Sequence, residues 1–273
     1  MTTRSFTFAA ALLSSLALSS CSELVKNIQE MQADDKQSKA AQLLRIAEST
    51  REGGDLNSAL SLYQRAANFE PQDLAPHIGL GETAYQLGLF DQAAKAYEQA
   101  IQIKPQSAPS HAGLGKALIA QGQPEKAVPH FETVIQLAAE QYAGYNGLGV
   151  ALDMLGQHTQ AQGHYKKALQ ISPTALNVLN NLALSLTIEG KFDDALEILG
   201  RFEKDPRAGV MLRQNLALIY GLSGQQNKAA AIASRDLDES SVINNLKFYE
   251  RVRTLNESDR AEALLGAARQ TFK

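Results

Sequence analysis

Residues 142–175, YAGYNGLGVALDMLGQHTQAQGHYKKALQISPTA, decide how the rest of the chain is read. Tyr145, Leu148, Gly149 and Leu152 fall on one face of a helix, and Gly156 interrupts it. Ala161, Tyr165 and Ala168 form a second apolar stripe, which Pro173 ends. The stretch is a helix-turn-helix hairpin.

Counting outward in steps of 34 finds the same hairpin again. Glycine stands at Gly54, Gly88, Gly122, Gly156, Gly190 and Gly224, and alanine at Ala59, Ala93, Ala127, Ala161, Ala195 and Ala229. An aliphatic register runs through Ile46, Leu80, Leu114, Leu148, Leu182 and Leu216. At a glycine usage of about 7%, the glycine register alone has a chance of roughly 10⁻⁷. The pattern resembles the tetratricopeptide repeat, whose Leu-Gly-x2-Tyr segment is followed by Ala-x3-Phe and a terminal Pro. The fold expected is all-α: a right-handed α-solenoid of six tetratricopeptide hairpins over residues 40–243, with capping helices over 244–273.

Each recurring residue has a mechanical task. The glycine supplies the left-handed turn that ends the first helix. Ala47, Gly81, Gly115, Gly149, Ala183 and Ala217 let two backbones approach and leave room for Tyr63, Tyr97, Phe131 or Tyr165. The copies differ in detail. Pro129 falls inside the second helix of copy three and is expected to bend it, and Ala139 stands where that copy's terminal proline belongs. Copy six has Ala233 in place of the ring and Asp236 in place of a core alanine, as a terminal repeat does. Past the repeats, Leu246, Tyr249 and Val252 mark one further helix, and Ser258 is expected to cap a last one.

The N-terminus is of another kind. Arg4 precedes an apolar run from Phe6 to Leu18, too short to span a bilayer as a mature helix, so residues 1–20 read as a secretory signal. Leu18-Ser19-Ser20-Cys21 resembles a lipobox, and Cys21 is the chain's one cysteine. The alternative is an ordinary signal peptide followed by a chance cysteine. If Cys21 carries acyl chains, burial of each CH₂ contributes about 0.8 kcal/mol, and several chains anchor stably. Ser22, by resemblance to lipoproteins of diderm bacteria, directs the chain to the outer membrane, facing the periplasm. Residues 21–39 then form a lipidated tether, with a membrane-lying amphipathic helix as the weaker reading because acidic residues interrupt its apolar face.

Charge and motifs exclude several functions. The formal net charge is −3, and −4 once Arg4 leaves with residues 1–20; no basic run or basic-aromatic platform invites nucleic acid. Gly113-Leu-Gly115-Lys116 and Gly144-x2-Gly147-x-Gly149 imitate phosphate and dinucleotide loops, but neither follows a strand and both fall within a first helix. The histidines at 77, 111, 130, 158 and 164 lack ligand spacing, and no nucleophile stands with a base. No cofactor, metal or small-molecule substrate is expected, and the chain does not read as an enzyme.

A surface remains. In such solenoids the first helices line a concave groove, here offering Glu82, Tyr85, Lys116, Asn146, Asp153, Asn177, Asn180, Asn181, Met211, Gln214 and Asn215. Side-chain amides can bond a peptide backbone through both donor and acceptor. The same amides can instead solvate the groove or bond between helices.

Residues 179–253 are more specific than a generic repeat. Asn180-Asn181-Leu-Ala-Leu-Ser-Leu, Arg213-Gln-Asn-Leu-Ala-Leu-Ile-Tyr-Gly-Leu-Ser-Gly224, Ala233-Ser-Arg-Asp236 and Asn244-Asn245-Leu resemble the tetratricopeptide lipoprotein of the tight-adherence (Flp/Tad) pilus system. The resemblance implies an outer-membrane lipoprotein that helps assemble or localise the pilus secretin and so supports adhesion. Its partner would be that secretin or another pilus assembly component. A lipoprotein of another type IV pilus or secretion system, or a regulator of a cell-wall enzyme, fits the same sequence architecture.

Overall fold

The computed structural model describes residues 26, 37–205 and 208–270, with the side chains of 265–270 excepted. The signal sequence, Cys21 and all of the tether but Lys26 and residues 37–39 lie outside the described residues. The chain divides into two compact units, one to Leu87 and one from Gly88. The division falls between the two helices of the second repeat.

The first unit holds α1 (37–52), α2 (Leu56–Phe69) and α3 (Leu74–Gln86). The second holds α4 (Phe90–Ile103), α5 (Ala108–Ala120), α6 (Pro124–Leu137), α7 (Tyr142–Met154), α8 (His158–Ile171) and α9 (Leu176–Ile188). It continues with α10 (Phe192–Leu199), a 3₁₀ turn (Gly200–Phe202), α11 (Val210–Leu222), α12 (Gln226–Ala233), α13 (Glu239–Arg253) and α14 (Glu257–Gln270). The described residues contain no strand. From α4 to α13 each helix packs on its neighbour in sequence, and first helices also touch across one intervening helix, α5 with α7, α7 with α9 and α9 with α11.

Local chemistry sets the helix ends. Asp55, Asp73, Ser107 and Asp238 accept main-chain N–H groups of the first turns of α2, α3, α5 and α13. At the end of α7, Gly156 has φ +74°, and its N–H donates to Asp153 O while that of Gln157 donates to Leu152 O. This paired closure uses two carbonyls that the helix leaves open. The glycines at 54, 122, 190 and 224 repeat it, and all six register glycines have positive φ.

The six register alanines are fully buried. Ile46 is the exception in the aliphatic register, at 45% exposure against 5% or less for its five counterparts. The rings are buried against bare backbone. A Cβ on Gly79 would stand 2.3 Å from the Tyr63 ring, one on Gly113 2.2 Å from Tyr97, and one on Gly147 2.1 Å from Phe131. Each ring therefore enters a slot in the next repeat's first helix. Where that slot becomes Asn181, Tyr165 lies on Gly149 of its own repeat instead.

Other expectations need correction. Asn256, not Ser258, caps α14, accepting the Asp259 N–H at 2.9 Å. Helix α13 begins at Glu239, inside the span assigned to repeat six. Helix α6 runs unbroken through Pro129, which is exposed, so the carbonyl it deprives of a partner faces water. Without a terminal proline α6 still ends at Leu137. Asp236 is no simple loss: it receives the Arg213 guanidinium on both oxygens, at 2.8 and 2.5 Å, so an ion pair stands in for the aromatic and alanine of a faithful copy.

The two glycine types predict different failures. Nothing lies within 4 Å of a Cβ on Gly156, so Gly156→Val should cost about 1–2 kcal/mol through its positive φ alone. Gly147→Ala must displace the Phe131 ring and should cost about 1–3 kcal/mol by overpacking. Urea titration of both variants, with Gly163→Ala on open helix surface as the control, checks this; an unchanged midpoint for Gly147→Ala would refute the slot.

Candidate functional site

The expected groove residues do not form one class in the structure. In the first unit, Glu82 is exposed 3.9 Å from Arg51, and Tyr85 is partly exposed. In the second, Lys116 and Asn177 are exposed, and Met211 stands out at 71% exposure. The remaining asparagines bond from one first helix to the next. Asn181 Nδ2 donates to Asn146 Oδ1 at 3.0 Å, and Asn215 Nδ2 donates to Asn180 Oδ1 at 2.8 Å. Gln214 Nε2 donates to Asp236 Oδ2 at 3.2 Å, while its Oε1 is buried without a partner. Beside the asparagine pairs, Val150, Leu184 and Leu218 occupy one repeat position and are half-buried. The face is therefore an aliphatic row edged by amides with spare donors and acceptors.

Asp153 departs from the expectation altogether. It is 6% exposed, turned from the groove into the junction between α7, α8 and α9. Its Oδ1 receives the Ser185 hydroxyl at 2.7 Å and lies 2.9 Å from His158 Nδ1; its Oδ2 receives the Tyr165 hydroxyl at 2.8 Å. Gln162 Nε2 extends the set to Ser185 Oγ and to Glu189 Oε2, which also receives Lys191 Nζ. A buried carboxylate is tolerable because its lone pairs are filled this way. The hydrogen bond that His158 donates to Asp153 holds its imidazole above the usual range, and burial, with Asp153 beside it, pushes the Tyr165 hydroxyl well up. Serine and histidine both sit on the carboxylate, with no imidazole between hydroxyl and acid, and Ser185 is fully buried. The arrangement binds helices together; it does not activate a nucleophile.

The sequence pattern missed this cluster because its members lie at unlike repeat positions. Asp153 and His158 flank the Gly156 turn, while Ser185 comes from the next hairpin. The other histidines are also packed rather than poised. His77 and His111 hold Pro71 O and Pro105 O at 3.1 and 2.9 Å, so His111 Nε2 carries the hydrogen and His130 Nδ1–H donates to His111 Nδ1 at 3.0 Å. Among the described residues no group of three or more His, Cys, Asp or Glu is placed to hold a metal ion. Among them, too, no helix is long and apolar enough to cross a membrane.

Two tetratricopeptide-repeat family profiles match, one at residues 81–122 and one at residues 106–174. The chain carries tetratricopeptide repeats. A tetratricopeptide protein of Parabacteroides merdae shares the fold at TM-score 0.66 and 15% identity, over 77% of this chain and 84% of its own. PilF of Pseudomonas aeruginosa superposes at TM-score 0.60 and 16% identity, over 72% and 90%. YrrB, described as a tetratricopeptide protein with an unusual peptide-binding site, does so at 0.52 and 18%, over 69% and 94%. At these identities the likeness is one of fold. No curated protein matches the chain by sequence. Tetratricopeptide stacks characteristically serve as protein-binding scaffolds.

Two stability predictions follow from the bonds between helices. Asn180→Ala leaves the buried side of the Asn215 amide unpaired and should cost about 1 kcal/mol, against almost nothing for exposed Asn177→Ala. For His158 the folded-state pKa is raised, so its contribution is complete below about pH 6.5 and is lost as pH rises through the folded value. The melting-temperature advantage of the wild type over His158→Gln should therefore be largest near pH 6 and shrink toward pH 9. An advantage that grew with pH would mean that His158 is held neutral.

Proposed function

We propose that this tetratricopeptide chain is a lipid-anchored, periplasm-facing scaffold of the outer membrane. It binds a component of the Flp/Tad pilus secretion apparatus, the secretin foremost, and assists its assembly or localisation. The observation that carries the reading is a coincidence of place. The stretch whose sequence resembles the pilus lipoprotein, residues 179–253, also supplies much of the amide-edged row: Asn180 with Asn215, Leu184 and Leu218 beside them, and Met211 exposed at the start of α11. Leu18-Ser-Ser-Cys21 supports the anchor. An unbranched, exposed methionine beside an aliphatic row suits a partner segment with apolar side chains, and the spare amide groups suit its backbone.

The test separates anchor from face. Cys21→Ser should move the protein out of the outer-membrane fraction and abolish labelling by palmitate. Met211→Asp leaves the anchor intact, touches no core contact and should leave the melting curve unchanged, yet it should reduce secretin co-purification and the secretin multimer at least fivefold. Full secretin multimers in the Met211→Asp and Cys21→Ser strains alike would refute the assignment.

A further inference from the structure

The last helix does not complete a seventh hairpin. From α6 to α12, each second helix packs on the first helix of its own repeat and on that of the next. After α13, which packs on α11 and α12 as a further first helix would, α14 turns away and packs on α13 and on α9, two first helices back. It lands at the turn of repeat five.

One side chain makes most of that landing. Arg260 Nη1 donates to Ile188 O, a carbonyl at the end of α9, at 3.0 Å, and Nη2 donates to Leu255 O at 3.0 Å. Its guanidinium lies over the Phe192 ring, 5.5 Å from the centroid. It also passes Gly190 so closely that a Cβ there would stand 2.7 Å from Nη1. A cation at a helix C-terminus is favoured by the open carbonyls and the helix dipole, and an aromatic face adds to this. The receiving surface is shaped for it: at the repeat position held by exposed Ala120 and half-buried Met154, the next two copies carry Ile188 and Leu222, at 3% and 1% exposure.

The first two turns of the helix that occupies the site bury little. Between Glu257 and Leu264 no residue is buried: Ala261, Ala263 and Leu264 are half-buried, and Ser258, Asp259 and Glu262 are exposed. Arg260 Nε is buried with no acceptor, so the fit leaves one charged donor unsatisfied. Elements with little buried apolar area and solvent-exposed flanks open at low free energy. A partner that supplied the missing acceptor and more apolar contact would win the place.

We propose that the end of α9, from Ile188 to Phe192, is a docking site for an arginine-bearing amphipathic helix of a protein partner, and that α14 is its displaceable resident. Resting on the scaffold reading above, this adds a condition to it: the partner helix and α14 exclude one another. A ligand must then displace α14 before it can bind, and its apparent affinity falls by the fraction of chains in which the site is open.

The experiment needs no pilus component. A fluorescein-labelled synthetic peptide spanning residues 256–270 is titrated into the purified full-length chain, wild type and Arg260→Ala, with fluorescence anisotropy as the readout. Loss of the internal arginine should raise the affinity for the wild-type peptide at least fivefold, and a peptide carrying Arg260→Ala should bind neither chain. Hydrogen exchange at residues 186–192 should quicken in Arg260→Ala and slow again when the wild-type peptide is added. Gains below fivefold, or equal binding by the two peptides, overturn the proposal. Arg260→Ala alters a half-exposed residue of a peripheral helix, and an unchanged melting temperature confirms that the core is intact. Peptide binding without secretin capture would sink the pilus reading alone; secretin capture without peptide binding would sink this one alone.

Discussion

An aromatic ring set against bare backbone governs the rest of this fold. Tyr63, Tyr97 and Phe131 each reach into the next first helix at a residue that has no Cβ, and the ring occupies the volume a methyl would have filled. Such a ring buries a large apolar area, and its truncation to alanine typically costs about 3–5 kcal/mol. Spacing, hairpin order and burial of the register alanines all follow from that fit. Two helices can close to this distance only where small residues line both sides, which is why Ala59, Ala93, Ala127 and Ala161 sit with no exposure at all. Where the slot is replaced by Asn181, the junction changes character, and a polar cluster around Asp153 takes over.

What could be read in the sequence was what repeats. Glycine and buried alanine recur every 34 residues through all six copies, so periodicity alone specifies the hairpins, and all six register glycines have positive φ. Features made by one pair of positions were not legible. Asp153 looked like a groove residue because its repeat position usually faces inward, yet three donors from α8 and α9 draw it into the junction. The asparagines at 146, 180, 181 and 215 were placed on the right helices, but amides that can bond a peptide can equally bond each other, and a sequence does not rank the two. Ser258 was the expected cap of α14, but the helix starts at Glu257, and Asn256, the residue before it, accepts the Asp259 N–H.

The copies also grow thinner toward the C-terminal end. Helices α2, α4, α6 and α8 have 14 residues each, whereas α10 and α12 have 8. In the same region specific polar bonds tie the first helices to their surroundings: Asn180 of α9 with Asn215 of α11, and Arg213 and Gln214 of α11 with Asp236 beyond α12. Helix α13, capped by Asp238 and closed by Tyr249 against Gly221, finishes this row with the same ring-on-glycine contact that opens it.

The Asp153 cluster bears on how a chain of look-alike modules finds its order. Hairpins built on a shared pattern of glycine, alanine and aliphatic residues offer a folding chain many nearly equivalent partners, and misassembly between them is the characteristic failure of repeat proteins. Apolar faces discriminate poorly between one neighbour and another. A carboxylate inside a junction does discriminate, since stacking α7 and α8 on a first helix without a hydroxyl where Ser185 stands would remove one of the three groups bonded to Asp153. Repeat four thus carries an address that repeats three and six, with Ala117 and Ile219 at that position, cannot answer.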